Sequence, residues 1–147
     1  MSKPIFILNG PNLNLLGIRE PGIYGHTSLA DLKAMCEARA KKRGLEIFFA
    51  QSNREYEIID WIHDAISGAD GIIINPAAFT HTSLAILDAL KNVKCPIIEL
   101  HISNPHQREE FRHHSYVTFA ATGLIAGLGV NGYVHAVDAL ADMLAKD

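Results

Sequence analysis

The sequence predicts an α/β fold: an open, doubly wound sheet of five parallel strands with helices on both faces. Three observations carry this. Short apolar runs recur at Ile5–Leu8, Leu45–Ala50, Gly71–Ile74 and Pro96–Leu100. Ile5–Leu8 and Gly71–Ile74 are apolar at successive positions, as in strands buried on both faces of a parallel sheet. Between the runs lie longer amphipathic stretches, and strands alternating with helices imply βαβ units with right-handed crossovers. The 147 residues suffice for one such domain, whereas a closed eight-stranded barrel takes about 250 residues.

Each element has its own warrant. Ile5–Leu8 opens the sheet, and a long loop, Gly10–Gly25, follows it. Thr27 or Ser28 caps a helix to about Lys42, with Leu29, Leu32, Met35 and Cys36 as its stripe and Gly44 as its stop. After the second strand, Ser52 or Asn53 caps a helix through about Ser67, with Ile58, Ile59, Ile62, Ala65 and Ile66 inward. Gly71–Ile74 is wholly apolar and therefore central. Asn75–Phe79 forms the loop at its end, and Thr80 starts a helix through about Lys91. The fourth strand runs into His101–Pro105, and a short charged helix spans Gln107 to about His113. Tyr116–Phe119 reads as the fifth strand. Gly123–Gly132 reads as a packed loop or helix, and Tyr133–Lys146 as the last helix. Five strands in this length match a sheet of the flavodoxin-like kind. No repeat or linker divides the chain, so residues 1–147 are expected to form a single catalytic domain.

Composition excludes several classes. The net charge of −3 offers no general attraction to nucleic acid or to an anionic membrane. No apolar run is long enough to span a bilayer, and the first apolar run ends at Asn9, too early for a signal peptide. Cys36 and Cys95 are far apart and read as reduced thiols. The expected location is cytoplasmic.

In an open parallel sheet the site lies outside the carboxyl ends of the strands. Asn12, Asn14, Arg19 and Tyr24 follow the first strand. Asn75 and His81 follow the third. His101, Ser103, His106 and Arg112 follow the fourth. Glu99 and His101 are two apart on a strand and point the same way. A carboxylate bonded to an imidazole fixes its tautomer and suits it to donate a proton near neutral pH; the bland alternative is a structural pair at the sheet rim. Arg19 and Tyr24, taken alone, read as solvated loop residues. Yet ionising a tyrosine at pH 7 costs roughly 4 kcal/mol, and a close cation removes much of that. His81 and Asp88, seven apart on one predicted helix, share a face about 10 Å apart. Asp88 then reaches past any small substrate held by His81, or is simply an exposed aspartate.

Metal binding is not signalled, since the histidines show no HxxxH or HExxH spacing. The first loop lacks GxGxxG and GxxxxGK[ST], and Lys91 and Lys94 sit at the wrong end of the sheet for Schiff-base chemistry. Three readings stand on these residues: a cofactor-independent acid–base enzyme, a non-enzymatic flavodoxin-like module for a small ligand or nucleotide, and a histidine-dependent metal enzyme.

Longer blocks narrow the choice. Gly10-Pro11-Asn12-Leu13-Asn14-Leu15-Leu16-Gly17 with Arg19-Glu20-Pro21 and Tyr24-Gly25 resembles the signature of type II 3-dehydroquinate dehydratases. So do Gln51-Ser52-Asn53, Asn75-Pro76 with Thr80-His81-Thr82-Ser83, and Glu99-Leu100-His101-Ile102-Ser103-Asn104. Arg108 to Ser115 and Ile125-Ala126-Gly127 complete the match, which runs along nearly the whole chain. The resemblance implies dehydration of 3-dehydroquinate to 3-dehydroshikimate through an enolate, in the shikimate or quinate pathway, with no metal and no cofactor. It implies Tyr24 as base, Arg19 as the group favouring tyrosinate, His101 as acid beside Glu99, and Asn12 as holder of a water at the enolate oxygen. It implies Asn75, His81, Ile102, Ser103 and Arg112 as substrate-binding residues. It also implies trimers assembled into a dodecamer, with Asp88 reaching a neighbouring site. The first loop, with its glycines and Pro21, is expected to close as a lid over the substrate. Ala77 stands where a glycine is expected, Phe79 for a tyrosine, and Tyr56 for a glycine.

Overall fold

The computed structural model describes residues 2–18, 20, 22 and 25–146. Five strands form one sheet: β1 (Ile5–Asn9), β2 (Ile47–Gln51), β3 (Gly71–Asn75), β4 (Ile97–His101) and β5 (Gly123–Ala126). Their order is β2-β1-β3-β4-β5, and every pairing is parallel. This is a flavodoxin-like sheet. Its order reverses between β1 and β3, which therefore flank the switch-point crevice.

Among the described residues, four helices cover the faces: α1 (Leu29–Lys42), α2 (Glu55–Gly68), α3 (Leu84–Leu90) and α4 (Asn131–Ala145). Strand alternation sorts the core in two. Ile5, Ile7, Ile73, Ile98 and Leu100 pack against Leu32 and Cys36 of α1 and Tyr133, Val137 and Leu140 of α4. Phe6, Leu8, Ile72, Ile74 and Ile97 pack against Ile58 and Ile62 of α2 and Ile86 and Leu90 of α3. The unbroken apolar runs follow from this, because every side chain of β1 and β3 is buried. By the same parity, Asn9 and Asn75 face α4, whereas Glu99 and His101 face the side of α3.

Ser28 caps α1 with a capping box: the Asp31 N–H donates to Ser28 Oγ (3.1 Å), and the Ser28 N–H donates to Asp31 Oδ2 (3.2 Å). Ser52 instead accepts from the Arg54 N–H (2.9 Å), so α2 begins at Glu55.

Two expectations are corrected. Tyr116–Phe119 is not the fifth strand. Val117–Phe119 is a 3₁₀ turn in which Val117 alone is buried, while Thr118 turns its hydroxyl to Glu99. The fifth strand is Gly123–Ala126, in the stretch read as loop or helix. Its partner strand β4 supplies the pairing that a Gly-Leu-Ile-Ala segment does not signal by itself. Nor does one helix run from Thr80 to Lys91. Ala77–His81 is a 3₁₀ turn, and α3 starts after Ser83, whose Oγ accepts from the Ile86 N–H (2.9 Å). His81 and Asp88 therefore do not share a helix, and the distance drawn between them on that basis falls. The charged stretch after β4 is likewise two 3₁₀ turns, Pro105–Gln107 and Glu110–Arg112. Among the described residues, no helix is long and apolar enough to cross a membrane.

Candidate active site

A crevice opens at the carboxyl ends of β1, β3 and β4. Asn12, Asn75, Ala77, His81, His101, Ile102, Ser103, Arg108 and Arg112 line it. The fold thus brings seven of the predicted site residues to one cleft. Arg19 and Tyr24 lie outside the described residues. Asp88 is exposed on α3 and does not line this cleft.

Glu99 anchors one wall. It is 1% exposed and accepts three hydrogen bonds. His101 Nε2 approaches Oε2 at 2.5 Å, and the Ser115 hydroxyl donates to the same oxygen at 2.8 Å. The Thr118 hydroxyl donates to Oε1, and the Thr80 hydroxyl donates to Ser115 Oγ at 2.6 Å, orienting the Ser115 proton toward Glu99. Burial pushes the Glu99 carboxyl up. The bonds from His101 and Thr118 outweigh it, so the group lies below the usual carboxylate range and is ionised near neutral pH. A carboxylate only accepts, so His101 Nε2 carries the proton toward it and Nδ1 is left for the cleft.

His81 is oriented by backbone. Its Nδ1 donates to the His114 carbonyl at 2.7 Å. Burial lowers its proton affinity, and the neighbouring His101, Arg112 and Arg108 lower it further. His81 is thus neutral near pH 7 and presents Nε2 as an acceptor for a hydroxyl.

Two arginines line the same cleft. Arg108 donates to Ser103 Oγ (3.3 Å). Arg112 donates through Nε to Glu109 Oε1 (2.8 Å). Glu109 is held below the usual range by its own backbone N–H and by Arg112.

Asn12 takes a left-handed conformation (φ 70°) at the start of the first loop. Its N–H donates to Asn53 Oδ1 (2.9 Å), and Gln51 Nε2 donates to the Gly10 carbonyl (3.1 Å). Gly10 must be glycine, because a Cβ there would lie 2.3 Å from the Pro76 carbonyl oxygen. The loops after β1 and β3 therefore touch backbone to backbone, and the Gly10 N–H donates to the Asn75 carbonyl at 2.8 Å. Ala77, where glycine is expected, holds φ 52°, a left-handed conformation uncommon for alanine.

Sequence reasoning missed Asn9, Arg108, Ser115, Thr118 and Tyr133. Arg108 and Ser115 lay inside a recognised block, but nothing local assigned them a partner. Among the described residues, no group of three or more His, Cys, Asp or Glu side chains is arranged to hold a metal ion.

A parallel sheet with an ionised carboxylate, a tautomer-fixed histidine and convergent arginines at its switch point defines a flavodoxin-like protein with an acid–base site for a small anionic ligand. Comparison with known proteins gives the particular family. The family model for class II dehydroquinases matches residues 3–141, and the chain belongs to that family. It is 61% identical over 140 residues to 3-dehydroquinate dehydratase 2 of Agrobacterium fabrum, covering 95% of each chain. It is 57% identical over 143 residues to the 3-dehydroquinate dehydratase of Phenylobacterium zucineum, covering 97% of this chain and 99% of the relative. The crystal structure of type II dehydroquinase from Propionibacterium acnes superposes with a TM-score of 0.92 at 48% identity, covering 97% of this chain and 98% of that one.

Proposed function

We propose that the protein is a 3-dehydroquinate dehydratase, a hydro-lyase that removes water from 3-dehydroquinate in the shikimate or quinate pathway. Membership of the dehydroquinase family and the ionised Glu99 fixed on His101 carry this reading. In the first step Tyr24, as tyrosinate beside Arg19, takes the C2 proton. The C–H electrons move into the ketone, giving an enolate whose oxygen is met by a water on Asn12. In the second step the enolate re-forms the ketone and expels the C1 hydroxyl. His101 protonates that hydroxyl as it leaves as water, and proton exchange with solvent resets both groups. Preorganised donors around the enolate stabilise charge at the moment it develops. Asn75, His81, Arg112 and the backbone at Ile102 and Ser103 hold the carboxylate and hydroxyls.

The reading includes a single catalytic domain over residues 1–147, a cytoplasmic location and trimers assembled into a dodecamer. The exposed Asp88, on the same helix as the exposed Leu84, supports a neighbour-facing role. The free cysteines Cys36 and Cys95 fit a reducing compartment.

Purified protein incubated with 3-dehydroquinate should develop the absorbance of a conjugated enone, and EDTA should leave the rate unchanged. Absence of turnover would sink the proposal. His101→Ala should lower kcat by about 10²–10⁴, the usual worth of a positioned acid. Tyr24→Phe should abolish proton abstraction, and near-native turnover would remove Tyr24 from the role of base.

A further inference from the structure

Tyr133 is wholly buried on α4, on the face turned toward the ends of β1 and β3. Its hydroxyl donates to Asn9 Oδ1 at 2.7 Å and accepts from Asn75 Nδ2 at 2.9 Å. Asn9 and Asn75 are register partners at the last rungs of β1 and β3, either side of the switch point. The direction of every bond here is forced. The Ala50 carbonyl only accepts, so Asn9 must offer it Nδ2 (3.0 Å). Asn9 then has only Oδ1 for Tyr133, and the phenol must donate. With its proton spent, the phenol only accepts from Asn75, which must present Nδ2. From the other end, the Ala77 N–H only donates, and it meets Asn75 Oδ1 at 3.1 Å. Two backbone groups, one on each side, therefore dictate the same amide orientation.

We propose that Tyr133 is a positioning residue that locks the Asn75 amide so that its second Nδ2 hydrogen, and never its oxygen, faces the cleft. The site is thereby tuned for a substrate oxygen that accepts a hydrogen bond. Burial pushes the Tyr133 phenol well above its ordinary value, so it keeps its proton across the working pH range. Without the hydroxyl, only the Ala77 N–H still orients the Asn75 amide, and its carbonyl turns toward the substrate more readily.

The proposal rests on Asn75 binding substrate, and the experiment separates the two. KM and kcat for 3-dehydroquinate are measured for Tyr133→Phe, Asn75→Ala, their double variant and Val137→Ala, a buried position one turn along α4 that serves as a stability control. Tyr133→Phe should raise KM about tenfold, the worth of one directed hydrogen bond, with kcat within about threefold of wild type. Val137→Ala should lower the melting temperature without moving KM. The double variant should be no worse than Asn75→Ala alone. A raised KM in Asn75→Ala with an unchanged KM in Tyr133→Phe overturns the role of Tyr133 only. An unchanged KM in Asn75→Ala overturns the substrate contact and the proposal with it. If Tyr133→Phe does not fold, Asn9→Ala removes the acceptor that spends the phenol's proton and should raise KM likewise; an unchanged KM there overturns the proposal.

Discussion

Three side chains donate to the Glu99 carboxylate and Thr80 donates to one of them, Ser115; they come from three places in the chain: Thr80 after β3, His101 at the end of β4, and Ser115 and Thr118 in the crossover to β5. A buried carboxylate without donors takes up a proton easily. A protonated Glu99 would no longer be a pure acceptor, and the hold on the His101 tautomer would be lost. The hydroxyls therefore act on His101 through Glu99. Thr118→Val removes one donor at nearly constant volume. The affinity of Glu99 for a proton should rise, and the acid limb of the kcat profile should move to higher pH by about one unit, with kcat at neutral pH nearly unchanged. An unmoved acid limb would show that the hydroxyl serves packing alone.

At the scale of elements, the turn after β3 decides most of the site. Pro76 and the 3₁₀ turn Ala77–His81 lie between a buried strand end and α3, and they set Asn75, Thr80 and His81 in one short stretch. Ala77 completes this turn in a left-handed conformation. That conformation costs an alanine about 1 kcal/mol, partly offset because alanine loses less chain entropy than glycine on folding. Ala77→Gly should therefore stabilise the protein by about 0.5 kcal/mol, raise its melting point by about 2 °C and leave KM nearly unchanged. A melting point lowered by the substitution would show that the packing of the Ala77 methyl against the α4-side core outweighs the strain.

For the whole molecule, acid sensitivity follows from His81. Its proton affinity is lowered in the fold from an ordinary value of 6.5. Below about that pH the unfolded chain binds a proton that the folded protein resists, so stability falls as pH falls. Glu99, lowered from 4.5, adds a further loss under stronger acid. The urea midpoint should decline between pH 7 and pH 5, and His81→Gln should flatten that decline; an equal slope in both proteins would assign it elsewhere. Assembly belongs to this scale too. If the proposed trimer forms, Asp88→Asn should weaken turnover or that assembly, read by light scattering beside the assay, and no change in either would return Asp88 to the plain surface.

By itself the sequence determined the α/β class, the four strands β1 to β4, and the start of α1 at Thr27 or Ser28, of which the structure selects Ser28. Those features rest on local rules: unbroken apolar runs, helical spacing and side chains that satisfy the first free N–H groups. It also placed Asn12, Asn75, His81, His101 and Arg112 at strand ends, where a parallel sheet gathers its polar groups. The pairing of Glu99 with His101 was legible because two residues apart on a strand is a local distance. Only the tertiary structure decided the rest. β5 is a strand because β4 offers it an edge, whereas Tyr116–Phe119 has strand-like residues and no edge to join. Tyr133 lies 58 residues from Asn75 and 124 from Asn9, so the bonds that fix the Asn75 amide exist only once α4 closes over the sheet. A hydrogen bond is directional and short, and no periodicity in a chain can register one whose partners meet only in the folded core.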